Sequence, residues 1–181
     1  MDARFNDALS KTLKYEGGYN DVAGDAGGAT NFGISLRFLK DLYKSCDWAD
    51  IDNNGVVDKA DIKALKEEDA AKIYYEQFWR KQRCDMIANK DLASKVFDMS
   101  VNMGLTQAAR LLQRAINATG LANLSVDGLI GFATITAIEK CEPDWLLILL
   151  RIEAIDFYRN LVKTKPEYQK FLKGWLRRVF G

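Results

Sequence analysis

The chain contains no histidine. That absence removes Ser-His-Asp and Cys-His nucleophilic machinery, and with it the histidine-ligated zinc sites of most zinc catalysts. Cysteine is scarce: Cys46, Cys84 and Cys141 are scattered and odd in number. They read as reduced, structural thiols of a reducing compartment and not as a disulfide framework. Proline occurs only at 143 and 166, and alternating β-branched runs are few. No window approaches the roughly 18 consecutive apolar residues of a membrane span. The opening Met-Asp-Ala-Arg-Phe-Asn-Asp has no apolar signal region, so Sec export is not expected. A formal net charge of +1 argues against binding nucleic acid or membrane through a strong overall field. What remains for hydrolysis is carboxylate chemistry, alone or with a hard metal.

What is present is ordinary for a globular protein of one or two domains: 181 residues, 48% hydrophobic and 28% charged. Helical periodicity dominates and predicts a mainly α fold, with helices at roughly 4–16, 35–45, 67–82, 91–103, 106–119, 132–141, 143–163 and 167–179. Ser35 and Thr106 suit N-caps, and Pro143 suits a first helical position. Residues 145–161 are apolar most of the way round, as expected of a central core helix. A soft boundary near Asn89-Lys90 separates lobes 1–89 and 90–181, which are expected to pack as one unit. Two segments break the helical pattern: 17–34, where a short β-hairpin or loop fits, and 50–61.

Glu16 lies where the stripe Phe5, Leu9, Leu13 runs into Gly17-Gly18. Its spacing turns it toward the apolar side of a helix that the glycines end. Partial desolvation and the negative end of the helix dipole both disfavour the carboxylate, the condition for an acid that still holds a proton near neutral pH. Asp25 follows on a glycine-rich loop, Gly24-Asp25-Ala26-Gly27-Gly28-Ala29-Thr30. Cleavage of a glycosidic bond commonly uses two carboxyl groups with separated pKa values, and a buried acid with a solvated Asp would provide them. Thr30 could orient a water. On spacing alone, however, Glu before Gly-Gly is more often a surface helix end, and Asp-x-Gly-Gly a turn.

The stretch Glu16-Gly17-Gly18-Tyr19, followed by Asp25-x-Gly-Gly-x-Thr-Asn-Phe-Gly-Ile-Ser, resembles the N-acetylmuramidases of glycoside hydrolase family 108. These are lysozyme-like proteins of phages and bacteria, some described as secretion activators. The resemblance implies a two-lobed helical fold with Glu16 as catalytic acid and Asp25 as second carboxylate. The nine-residue Glu–Asp separation with a Thr on the same loop is also similar to the site of phage-type lysozymes. In those the Thr lies one residue further on, where this chain has Asn31. The resemblance continues through Ile73-Tyr74-Tyr75-Glu76-Gln77-Phe78-Trp79 and Phe97-Asp98-Met99-Ser100-Val101-Asn102-Met103-Gly104. It then runs through Leu111-Leu112-Gln113-Arg114-Ala115-Ile116-Asn117 and Asp127-Gly128-Leu129-Ile130-Gly131, which are similar to a peptidoglycan-binding region. Tyr19, Asn31, Asp98 and Asn102 are the expected substrate-binding residues, with Asn102 placed to bond an N-acetyl group across a cleft. The implied substrate is the peptidoglycan glycan strand, with no cofactor for catalysis.

The second irregular segment, Asp50-Ile51-Asp52-Asn53-Asn54-Gly55-Val56-Val57-Asp58-Lys59-Ala60-Asp61, fits the EF-hand loop. Its expected Ca²⁺ ligands are Asp50, Asp52, Asn54, the Val56 carbonyl, Asp58 and Asp61, with Gly55 at the sharp turn. Asp61 replaces the usual terminal Glu and resembles dockerin loops. A dockerin proper has two such loops and this chain has one, so 46–65 is expected to be a structural insertion.

The leading expectation is a muramidase cleaving the β-1,4 bond between N-acetylmuramic acid and N-acetylglucosamine. A lytic transglycosylase with Glu16 as sole acid/base is the rival within the class. A non-catalytic, calcium-dependent wall-binding or secretion-promoting protein is the rival outside it. Without a signal region, synthesis in the cytoplasm and release to the wall through a holin-type pore or another route are expected, as for a phage or prophage endolysin.

Overall fold

The computed structural model describes residues 3–14, 18–21 and 28–181. They form two compact units, Ala3–Gln77 and Phe78–Gly181. The chain therefore passes between units at Gln77-Phe78, inside a helical run and upstream of the soft boundary expected near Asn89-Lys90. Helix continues there because Tyr75–Arg80 extends α4 (Glu67–Tyr74) as a π-helical segment. Among the described residues the fold is mainly α and lysozyme-like, with one two-stranded antiparallel hairpin. No helix among them is long and apolar enough to cross a membrane. The cysteines form no disulfide.

In the first unit, α1 (Ala3–Leu13) buries Phe5, Ala8, Leu9 and Thr12, the i, i+3, i+4, i+7 face of an amphipathic helix. Phe5 meets Tyr75 edge-on at 5.0 Å. The expected hairpin is β1 (Thr30–Asn31) and β2 (Ile34–Ser35). Phe32 and Gly33 between them have φ of 49° and 76°, the two positive angles of a tight two-residue turn. The Tyr74 hydroxyl donates to the Phe32 carbonyl at 3.0 Å and holds that turn. Ser35 caps α2 (Leu36–Tyr43) as its sequence suggests, its Oγ accepting from Phe38 N at 3.2 Å. A short helix absent from the periodicity reading, α3 (Lys59–Ala64), leaves the acidic loop.

The second unit packs α5 (Lys90–Met103), α6 (Leu105–Ala118), α8 (Pro143–Thr164) and α9 (Gln169–Phe180) together, with α7 (Phe132–Glu139) beside α6. Its core includes Trp79, Phe97, Leu112, Ile116, Leu146 and Leu150, all fully buried. Pro143 opens α8, and the Glu142 carboxylate caps it by accepting from Asp144 N and Trp145 N. Two sequence expectations need correction. Gly104, not Thr106, is the N-cap residue of α6, because its φ of 88° turns the chain sharply out of α5. And α8 is not buried all round: Leu146, Leu150, Ala154 and Tyr158 face inward while Trp145, Ile148 and Ile152 stay exposed.

The Leu-Gln-Arg-Ala-Ile-Asn and Asp-Gly-x-Ile-Gly motifs turn out to be one structure. Gln113 on α6, 2% exposed, donates to Asp127 Oδ1 and the Leu129 carbonyl and accepts from Gly128 N. Asp127 also accepts from Leu129 N, and these bonds hold its carboxyl below the usual range. Gly128 has φ of 84°, and a Cβ there would lie 2.6 Å from the Thr106 methyl and 2.9 Å from its carbonyl oxygen. Only glycine fits.

Candidate active site and metal loop

Glu16 and Asp25 lie outside the described residues, and the geometry begins with their neighbours. Asn20 and Thr30 exchange two backbone hydrogen bonds of 2.8 Å, an isolated bridge that lays Asn20 against β1. In sequence these two residues lie four positions after Glu16 and five after Asp25. Thr30 is half-buried and also pairs with Ser35.

Three contacts tie this motif segment to α3. Asn31, 8% exposed, donates its amide nitrogen to the carbonyls of Ile62 at 3.1 Å and Leu65 at 3.3 Å. These are carbonyls at the end of α3, where helical partners run out. Lys59 reaches Asp21 at 3.0 Å. Lys63 sits over the exposed Tyr19 ring, 5.8 Å from its centroid. The Lys59 pair is solvent-exposed and contributes at most about 1 kcal/mol. The buried Asn31 bonds matter more, since losing them strands carbonyls at a cost of about 1–3 kcal/mol each. Asn31, expected at the substrate, thus spends its amide nitrogen inside the fold, while Tyr19 stays open. Periodicity missed α3, and the signal available for it was the acidic loop itself.

In that loop, carboxylate oxygens of Asp50, Asp52 and Asp61 lie within 4.8 Å of one another. Asp50 accepts from Asn54 N and Gly55 N. Asp52 accepts from Asn54, and Asn54 Oδ1 from Val56 N. Asp61, 0% exposed, accepts from Ile51 N at 2.7 Å, Asp52 N at 3.3 Å and Asp58 N at 2.7 Å. Asp58 caps α3 through Ala60 N. Gly55 has φ of 89°, at the sixth loop position where the turn is sharpest. The donor set is entirely hard oxygen and carries four negative charges, with one cation, Lys59, directed away to Asp21. These residues fit a hard divalent ion.

Asp98 and Asn102 belong to the second unit, one turn apart on α5, and both are engaged there. Asp98 accepts from Arg178 Nε at 2.8 Å and lies 3.8 Å from Lys95 Nζ. Lys95, 5% exposed, donates to the carbonyls of Arg178 and Gly181 at the end of α9. Asn102 donates its amide to the Tyr158 hydroxyl. Tyr158 stacks on Trp175 of α9 at 4.9 Å. Asp98 and Asn102 therefore help seat α9, and Lys95, Tyr158 and Arg178, which no motif marked, complete that arrangement.

Burial pushes the Tyr158 phenol up to about 12, against the smaller opposing effect of the Asn102 bond. An unfolded tyrosine loses its proton near pH 10. Stability held in the neutral phenol is thus fully present below pH 10 and lost as pH rises toward 12. The loss is on the order of 2–3 kcal/mol. Denaturant melts from pH 9 to 12 should show this loss in the wild type and not in Tyr158→Phe. Equal pH dependence in both would show that Tyr158 is not the group responsible.

The mainly helical fold with its short hairpin is that of a lysozyme-like protein. The family model described as Glycosyl hydrolase 108 matches residues 9–104, more than half of the chain, and Predicted Peptidoglycan domain matches residues 107–180. The chain belongs to the glycosyl hydrolase 108 family and is in broad terms a peptidoglycan hydrolase. It is similar to the solved structure of Brucella abortus SagA, with 30% identity and a TM-score of 0.72 over 97% of this chain and 88% of that one. No curated protein matches it at a significant level.

Proposed function

We propose that the protein is an N-acetylmuramidase that hydrolyses the β-1,4 bond between N-acetylmuramic acid and N-acetylglucosamine. Glu16 donates the proton to the leaving glycosidic oxygen. Asp25 stabilises the oxocarbenium-like centre or activates the water. The observation that carries this reading is the match of residues 9–104, with Glu16 and Asp25 inside it, to the glycosyl hydrolase 108 family. Tyr19, exposed and three positions after Glu16 in sequence, offers a ring face to sugar. Digestion of purified sacculi followed by mass spectrometry tests the bond and the reaction. The expected products carry reducing N-acetylmuramic acid ends. 1,6-Anhydro ends would assign a transglycosylase instead, and no cleavage would leave a binding protein.

Calcium is proposed for the loop Asp50–Asp61, held by Asp50, Asp52, Asn54, the Val56 carbonyl, Asp58 and Asp61. Its contribution there is electrostatic: it neutralises clustered carboxylates and stiffens the start of α3. The ion takes no part in the proposed bond cleavage. Its link to the site is mechanical, through the contacts of α3 with Asn31, Asp21 and Tyr19. Release from the cytoplasm through a holin-type pore, as for an endolysin, is proposed for the route to the wall.

A further inference from the structure

The net charge of +1 conceals a strong asymmetry. Residues 159–181 hold seven Lys and Arg against one acid, Glu167, a net of +6. Of the chain's 26 basic and 25 acidic residues, 19 and 24 then remain for residues 1–158, a net of −5. Six of the seven cations, Arg159, Lys163, Lys165, Lys170, Lys173 and Arg177, are exposed. No ion pair among the described residues joins any of the six to a carboxylate. The seventh, Arg178, turns inward to Asp98.

Helix α9 contains no acid, and Lys170, Lys173 and Arg177 recur at i, i+3 and i+7 on one face. They span about 10 Å of axis. The opposite face is used for packing: Val179 is buried and Trp175 lies on Tyr158. Lys95 and Asp98 hold the last turn. The free face is thus a rigidly seated row of cations. A bilayer-binding helix lays a whole apolar face into the lipid, whereas in α9 Val179 and Trp175 are engaged in the fold and Phe171 and Phe180 are the rings left exposed. A hydrated polyanion requires only spaced cations.

We infer that the outer face of α9 binds the carboxylates of peptidoglycan stem peptides, so that the second unit reads the peptide portion of the wall and not its neutral sugars. This inference rests on peptidoglycan being the substrate. Unlike the glycan hydroxyls, the stem peptides carry a repeated negative charge that complements the row.

The test is cosedimentation of the full chain, wild type and the triple variant Lys170→Glu, Lys173→Glu, Arg177→Glu. The binding partners are intact sacculi, chitin as a neutral β-1,4 glycan, and vesicles of anionic phospholipid. All three positions are exposed, and thermal melts verify that the variant folds. The expected result is sacculus binding weakened about ten- to a hundredfold in the variant, with equal binding of both proteins to chitin. Undiminished sacculus binding by the variant overturns the inference. So does capture of the wild type by vesicles as tight as by sacculi. Hydrolysis of amidase-stripped glycan strands by both proteins is scored separately. It needs no stem carboxylate, so its failure counts against the muramidase reading and not against the α9 surface.

Discussion

Glu16→Gln should lower the rate of sacculus lysis by about 10²–10⁴-fold, the usual contribution of a positioned general acid. Glutamine keeps the size and can still hydrogen-bond through its amide, but it has no acidic proton to deliver to the glycosidic oxygen. Because the loss lies in proton transfer, binding to sacculi and the melting temperature should stay close to wild type. Turbidity loss of sacculi, read beside a thermal melt, separates the two quantities. A variant that lyses walls at the wild-type rate would remove Glu16 from the mechanism. A variant that loses activity only together with its fold would make Glu16 structural. Asp25→Asn, assayed in parallel, should also be slow, since the carboxylate facing the sugar centre is its proposed role.

The second large effect is expected in the acidic loop. Asp61 is fully buried and accepts from three backbone N–H groups, those of Ile51, Asp52 and Asp58. Asp61→Ala strands all three. At about 1–3 kcal/mol per unsatisfied buried donor, and with some water entry, the loss should be on the order of 3–6 kcal/mol. That is a large share of the roughly 5–15 kcal/mol that holds a typical domain folded. Urea melts should show it directly, and the loss of Asp61's bond to Asp58 N, which steadies the start of α3, should loosen α3 against the motif segment. Calcium tests the same loop from the other side. At a free ion concentration near one hundred times its dissociation constant, the wild type should gain about 2.7 kcal/mol. Asp52→Asn, at an exposed position, should fold normally and lose most of that gain. If wild type and Asp52→Asn respond alike to calcium and to chelator, the loop is an Asx-rich turn and not a metal site.

These two predictions draw on different levels of information. Periodicity alone located the helices of eight residues or more among the described residues, and missed the six-residue α3, because a buried stripe at 3.6-residue spacing leaves a pattern independent of where the helix finally packs. The Ser35 cap and Pro143 at the head of α8 were legible for a similar reason: both act on their own first turn. The glycine-rich setting of 17–34 allowed a short hairpin or a loop, and the structure forms the hairpin at its end, Thr30–Ser35. Candidate chemistry was legible as residue types: a carboxyl before Gly-Gly, an Asp on the next loop, a twelve-residue oxygen-rich loop, and no histidine to compete with them.

Contacts between residues distant in sequence were not legible. Asn31 looked like a ligand for sugar because it follows Thr30, and the structure turns its amide to carbonyls some thirty residues away. Asp98 and Asn102 were expected at the substrate, and in the structure they bond Arg178 and Tyr158 and so help seat α9. The Gln113 and Asp127-Gly128 motifs read as separate core stripe and turn until one side chain joined them. The cation row of α9 was hidden inside a net charge near zero.

By itself the sequence determined the mainly α class, the exclusion of histidine chemistry and the two loops where a carboxylate mechanism or a hard cation could reside. These follow from composition and local spacing, which folding does not alter. Only the tertiary structure decided which polar side chains remain available to a ligand. Burial makes an unpaired polar group expensive, and each such group takes its partner from whatever the fold brings near.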